Sequence, residues 1–186
     1  MKKISNQRGF TLVELAIVMV IIGLLIGAVL KGQAMIDDAK QKRLLNDIQG
    51  ISAAYFTYYD RYNAIPGDDL SAHGWGTAVG NGSGYINGAT EPTAAWQVLR
   101  YAGLLSGDPA TSGAAAQPRH PFGGTYGFGS AAFGALGTRN YITMVTVPGS
   151  VAESIDIKYD DGIYNTGTVR GSAAYTTATV TLQYLL

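Results

Sequence analysis

Hydrophobic and polar positions along the chain change character twice. From Phe10 to Leu30 the sequence reads FTLVELAIVMVIIGLLIGAVL, and only Thr11 and Glu14 are clearly polar. As an α-helix, these 21 residues span about 31 Å, close to the hydrocarbon thickness of a bilayer. A core helix of a soluble domain is rarely apolar on every side for this long. Beyond Leu30 the pattern becomes amphipathic. Leu44, Ile48, Ile51, Tyr55, Tyr59 and Tyr62 recur at spacings of three and four, one helical stripe. Asp37, Asp38, Lys40, Lys42, Arg43 and Asp47 supply a polar face. No Pro interrupts residues 33–62, so one helix is predicted from about Phe10 to about Asn63. The aromatic cluster Tyr55, Phe56, Tyr58, Tyr59 and Tyr62 is read as core packing with hydroxyls at the wet rim.

Ile65-Pro66-Gly67 ends this helix, because Pro disfavours helical geometry in the residue before it. A Gly-rich loop follows over 66–89; within it Asn81-Gly82-Ser83 matches a glycosylation sequon and reads as a turn. Residues 91–102 are predicted helical, capped by Thr90, with Pro92 in the first turn and Gly103 at the end. Trp96, Leu99 and Leu104 are its core-facing residues. Loops and one short strand near 126–133 occupy 106–140. Tyr141–Val147 is β-branched, apolar and bounded by Pro148-Gly149, hence a strand. Residues 150–159 fit a strand by alternation and a helix by the Ser150/Glu153 capping box; a short helix is predicted. Asp160-Asp161-Gly162 turns the chain, 168–170 is extended, and Val180, Leu182 and Tyr184 alternate in a terminal strand. The fold class is α+β: a long N-terminal helix packed on a small antiparallel sheet, with one or two short helices.

Charge sharpens this picture at the N-terminus. Lys2, Lys3 and Arg8 precede the apolar run, which keeps the N-terminus cytoplasmic and sends the rest of the chain outward. No A-x-A-like site follows the run, so an ordinary cleaved secretory signal fits poorly. The small-residue boundary lies before it, at Gly9, and a cut there would leave the apolar helix on the mature protein. The whole chain of 186 residues balances 13 basic against 13 acidic side chains. Without residues 1–9 it has lost three basic and no acidic residues, which gives a formal charge of −3. That provides no basic field for nucleic acid. There is no cysteine, so neither a disulfide nor a thiolate metal site is available.

The basic leader, Gly9, Phe10 and the FTLVE run with Glu14 four residues after that Phe resemble the prepilin signature of type IV pilins and type II secretion pseudopilins. The resemblance is specific over residues 1–66. It implies a pilin-like fold and a structural, non-enzymatic role. It implies that a prepilin peptidase cuts after Gly9 and that Phe10 is N-methylated. It also implies that Glu14 pairs with the amino terminus of a neighbouring subunit. The partners would then be the membrane, the inner-membrane assembly platform and further copies in a homo-oligomeric filament. The expected division is leader 1–9, transmembrane and filament-core helix 10–30, amphipathic continuation 31–63, and extracytoplasmic domain 64–186. The expected place is the bacterial inner membrane, single-pass with the C-terminal domain periplasmic, and then a filament in the periplasm or at the cell surface. A lone carboxylate in hydrocarbon needs a partner or must be neutral, which suits that role for Glu14.

Gly23 and Gly27 form G-x-x-x-G, which permits close helix approach in a membrane; ordinary transmembrane glycine use explains them equally well. Relatives in that family often carry a Pro near the position of Lys31 and a C-terminal disulfide. This chain has neither, and the missing cysteines lean to the pseudopilin side. Asp156, Asp160, Asp161 and Asn165 form an acidic group that could ligate calcium. Lys158 interrupts the spacing of an EF-hand, and a solvated turn is the plainer reading. Many major pseudopilins stabilise a C-terminal loop with calcium, so the resemblance keeps that cofactor open. His73 and His120 stand apart, and no H-E-x-x-H, G-x-S-x-G or phosphate-loop motif occurs. A membrane-anchored extracytoplasmic binding module is the competing reading, with 1–30 a plain anchor.

Overall fold

A computed structural model describes residues 9–71, 73–77 and 80–186. Residues 1–8, the basic part of the expected leader 1–9, lie outside them. The chain forms two compact units, Met1–Lys40 and Gln41–Leu186. Helix α1, Leu12–Tyr62, contributes to both. In the first unit the large apolar side chains from Phe10 to Leu30 are exposed. Among the described residues α1 is the one helix long and apolar enough to cross a membrane.

In the second unit α1 buries Leu44, Leu45, Ile48, Ile51, Ala54, Tyr55 and Tyr58. The expected stripe is corrected near its end: Tyr58 is fully buried, whereas Tyr59 is 45% exposed. Steps of four and three must alternate to hold one face of a 3.6-residue helix, which selects 55, 58 and 62. The hydroxyls of Tyr55 and Tyr58 are also not left at a wet rim. Tyr58 donates to Asp69 at 2.9 Å, and Tyr55 accepts from Asn140 Nδ2 at 3.0 Å, both in buried surroundings. The helix stops as Asn63 turns to φ 50°, a left-handed conformation that Asn tolerates better than most residues. Pro66 follows.

No regular element occurs among the described residues from 63 to 90, as expected. Two buried aspartates hold the loop down. Asp68 accepts backbone N–H bonds from Ser83 at 3.1 Å and Gly84 at 2.6 Å. Asp69 accepts from Tyr58, Ser71 and His73.

Helix α2, Glu91–Tyr101, follows the loop. Thr90 does not cap it with its side chain. Glu91 instead turns back and accepts the N–H groups of Asn87 at 2.8 Å and Gly88 at 2.7 Å. Trp96 and Leu99 are fully buried, and Leu104 packs on the core from its edge.

The sheet contains β1 (Tyr126–Ala132), β2 (Thr138–Pro148), β3 (Val169–Gly171) and β4 (Thr179–Leu185). Its order is β1-β2-β4-β3, with all neighbours antiparallel. Helix α3, Gly149–Tyr159, leaves β2 directly. The predicted helix is present, but the Ser150/Glu153 box is not, because the helix already begins at Gly149 and places Ser150 inside it. Gly149 is needed there: a Cβ would strike the carbonyls of Tyr175 and Thr177.

One core joins α1, α2, α3 and the inner face of the sheet, through Leu44, Ile48, Trp96, Ile142, Ile155 and Leu182 among others. Asn140 is its polar centre: Nδ2 donates to Tyr55 and to Gly84 O at 3.1 Å, while Oδ1 accepts Ile86 N–H at 2.9 Å. This single side chain links β2, α1 and the long loop. The result is an α+β, pilin-like fold.

Candidate functional site

Gly9 and Phe10 precede α1 in non-helical backbone, and both are exposed, Phe10 at 83%. Glu14 lies in the first turn of α1. Its Oε2 accepts the Thr11 N–H at 2.8 Å and the Thr11 hydroxyl at 2.9 Å, and Thr11 Oγ1 accepts the Glu14 N–H at 3.2 Å. This is a reciprocal capping box, Thr-x-x-Glu, which satisfies helix-end donors that have no partner inside the helix. The signal is legible in T-L-V-E, and attention to Glu14 as an isolated carboxylate passes over it. Both bonds from Thr11 fall on the same oxygen, and no donor among the described residues reaches Oε1. One half of the carboxylate shapes the start of the helix, and the other half faces outward.

Gly23 and Gly27 lie on α1 with nothing within 4 Å of where a Cβ would project. Each costs about 1 kcal/mol against Ala in a helix interior, and no contact inside the chain calls for the missing side chain.

In the second unit the turn after α3 brings Asp156, Asp160 and Asp161 together, with ligand-type oxygens all within 4.8 Å of one another. Asn165 is exposed and makes none of the hydrogen bonds around them. Asp156 is fully buried and accepts from the Tyr175 hydroxyl at 2.7 Å and Gly162 N–H at 3.2 Å. Asp160 Oδ2 accepts from the N–H groups of Thr168 and Val169. Asp161 accepts from Ile163 N–H at 2.8 Å and the Thr166 hydroxyl at 2.6 Å. Burial pushes the Asp156 carboxyl up, and the charges of Asp161 and Asp160 add to that. Among the described residues, donors thus reach every oxygen of the three except Asp160 Oδ1. The donor set has the chemistry of a hard-cation site, and the same bonds hold the turn together by themselves.

The two histidines serve different structures. His73 Nε2 lies 2.7 Å from Asp69 Oδ2, and its ring packs against those of Tyr62 and Trp75. Burial alone pushes the Asp69 carboxyl up, but bonds from Ser71 N–H, His73 and Tyr58 outweigh it and hold the group below its usual value. His120 is buried; Nε2 donates to Val145 O at 2.6 Å, and Nδ1 accepts Phe122 N–H at 3.2 Å. Both nitrogens are thus satisfied in the neutral ring. Burial pushes its pKa down.

A family model described as the prokaryotic N-terminal methylation motif matches residues 4–30. Comparison with curated proteins and with solved structures gives no match. The matched segment contains Gly9 and Phe10, the capping box and the apolar run to Leu30. It is the prepilin signature of type IV pilins and pseudopilins. That match supports a pilin- or pseudopilin-like, prepilin-type N-terminus for this chain. Proteins with this motif are structural subunits and not enzymes. Its long apolar helix fits a membrane anchor.

His120 gives this region a pH dependence. A folded pKa below the unfolded value of about 6.5 means that the unfolded chain takes up the proton first. The neutral ring's contribution is fully present above that value and is lost as pH falls below it. The chain of residues 33–186 should melt at lower temperature at pH 5.5 than at pH 7.5. His120→Gln keeps an N–H donor without titrating and should flatten that slope. Equal slopes for the two proteins in differential scanning calorimetry would contradict this assignment.

Proposed function

We propose that this protein is a structural subunit of a helical filament, either a type IV pilus or a type II secretion pseudopilus. The observation that carries the reading is the matched N-terminal motif joined to an apolar helix whose side chains nothing among the described residues covers. The chain enters the inner membrane with its N-terminus cytoplasmic and its second unit periplasmic. Prepilin peptidase cuts after Gly9 and methylates Phe10. An inner-membrane platform then moves processed copies from the bilayer into the filament, where residues 10–30 bundle.

Glu14 selects the partner in that transfer. Thr11 occupies Oε2 and fixes the rotamer, and Oε1 remains for the α-amino group of the next copy's Phe10. A charge pair in a medium of low dielectric is far stronger than one in water, and a carboxylate without its cation is costly there. Gly23 and Gly27 let neighbouring helices approach where the bundle is tightest. Calcium at Asp156, Asp160 and Asp161 is a subordinate proposal. A chain of residues 33–186 should then melt higher in millimolar Ca²⁺, since a ligand that binds only the native state stabilises it. An unchanged melting temperature ends that part of the proposal.

The reading makes two linked predictions for cells that express the protein with its assembly machinery. Intact mass should show a mature chain that begins at methylated Phe10, while Gly9→Val accumulates as full-length precursor. Glu14→Ala should still insert and still be cut, because Ala is cheaper than Glu in hydrocarbon and the boundary is unchanged. It should yield processed monomer in the membrane and few sheared filaments. Abundant filaments from Glu14→Ala would contradict the role given to the carboxylate. No filaments from the wild type would favour a membrane-anchored binding module.

A further inference from the structure

The second unit carries a charged cleft that the N-terminal site does not use. Arg43, Asp47 and Gly50 of α1, Trp96 and Arg100 of α2, and Arg119 line a space of about 350 Å³. Arg100 is fixed by two carbonyls: Nε donates to Ser106 O at 3.3 Å and Nη2 to Ala116 O at 2.5 Å. Arg119 Nη1 donates to Gly123 O at 3.2 Å. Carbonyls orient a guanidinium without cancelling its charge, and no carboxylate among the described residues lies within ion-pair distance of Arg100 or Arg119. Arg43 alone has one, Asp47 at 3.8 Å, and Asp47 also accepts the Tyr126 hydroxyl at 2.9 Å. Three positive groups therefore face one negative group. Trp96 adds a second irregularity: its Nε1 is the one buried side-chain nitrogen or oxygen among the described residues without a hydrogen-bond partner.

The complementary group lies on the other flank of the same helix. Gln41 Nε2 donates to Ser154 Oγ at 2.9 Å and ties α3 to α1. Gln41 and Arg43 are two residues apart, about 200° around a helix of 3.6 residues per turn, so α3 and the cleft occupy opposite flanks. Glu153, next to Ser154, is exposed and has no partner among the described residues. In the second unit the other acidic side chains bond to donors in the chain, apart from Asp60, which is on α1 itself. A helical filament joins identical copies through heterologous contacts, one face of a copy against a different face of the next. A cationic cleft on one flank and an unpartnered carboxylate on the other meet that requirement.

We propose that the Arg43–Arg100–Arg119 cleft receives Glu153 of a neighbouring copy. The contact rests on the filament reading and deepens it: it places a charge-assisted contact between the outer units, apart from the apolar bundle. Such a pair acts mainly on register and partner choice, with less effect on affinity.

The absence of cysteine from the sequence makes the test direct. Arg119 and Glu153 are both exposed, so Arg119→Cys and Glu153→Cys should leave the fold intact. Cells that assemble the double variant and are treated with a short bis-maleimide should give a ladder of dimers, trimers and higher oligomers on a denaturing gel. Each single variant should give dimers at most. Arg119→Glu and Glu153→Arg should each cut filament yield severalfold, and the combination should restore it. Wild-type filaments with no ladder, and full yield from both reversals, would overturn the contact and leave the filament reading standing. The same result with phosphate raising the melting temperature of wild type, but not of Arg119→Glu, would overturn it in favour of a small-anion site. No filaments from wild type would overturn both.

Discussion

The constraint behind every other feature is the uncovered apolar surface between Phe10 and Leu30. Fifteen large apolar side chains there are exposed. Leaving them in water forfeits on the order of 20 kcal/mol, counting about 1.5 kcal/mol or more for each side chain buried. That exceeds the net stability of a typical domain, about 5–15 kcal/mol. The second unit cannot compensate for such a cost, so the helix requires a cover outside its own chain. A bilayer offers one and a bundle of like helices offers another. In the proposed filament Glu14 distinguishes between the two covers, because lipid tails have no cation to offer its second oxygen and the α-amino group of a processed neighbour would.

The second unit is organised by the outer part of the same helix. Leu44, Ile48, Ile51, Tyr55 and Tyr58 give the core its first layer. The tyrosine hydroxyls of that layer carry polar links outward, from Tyr55 to Asn140 on β2 and from Tyr58 to Asp69 in the loop. Buried polar groups without such partners would cost about 1–3 kcal/mol each. The loop from 63 to 90, which has no helix or strand among its described residues, is held by Asp68 and Asp69 in place of ladder bonds.

Elements with a local period were legible in the sequence. Continuous hydrophobicity, then a 3.6-residue stripe, located α1 to within two residues of its ends, and alternation located β4. The α3 stretch, which fitted two periods, was also assigned correctly. What stayed hidden depends on groups brought together by folding or on competition between caps. Thr90 and Ser150 look like caps, yet Glu91 bonds backward to Asn87 and Gly88, and Gly149 starts α3 before Ser150 can act. Asn140 contacts groups more than 50 residues away in sequence, and no local pattern reveals that. The Thr11–Glu14 box was the opposite case, since its motif is written within four residues. At the acidic turn three aspartates do converge as expected, and Asn165 does not join their hydrogen bonds.

These links assign different tasks to the two ends of one helix. In the proposed filament, residues 10–30 drive copies to associate, and the second unit selects which faces meet. The most direct test is electron cryo-microscopy of filaments sheared from cells that express the wild-type protein. The account predicts a core of residues 10–30 packed helix to helix, with Glu14 Oε1 within about 4 Å of the α-amino group of a neighbour's methylated Phe10, the distance of an ion pair. Filaments whose core excludes that helix, or in which the Phe10 amine lies away from every Glu14, would contradict it.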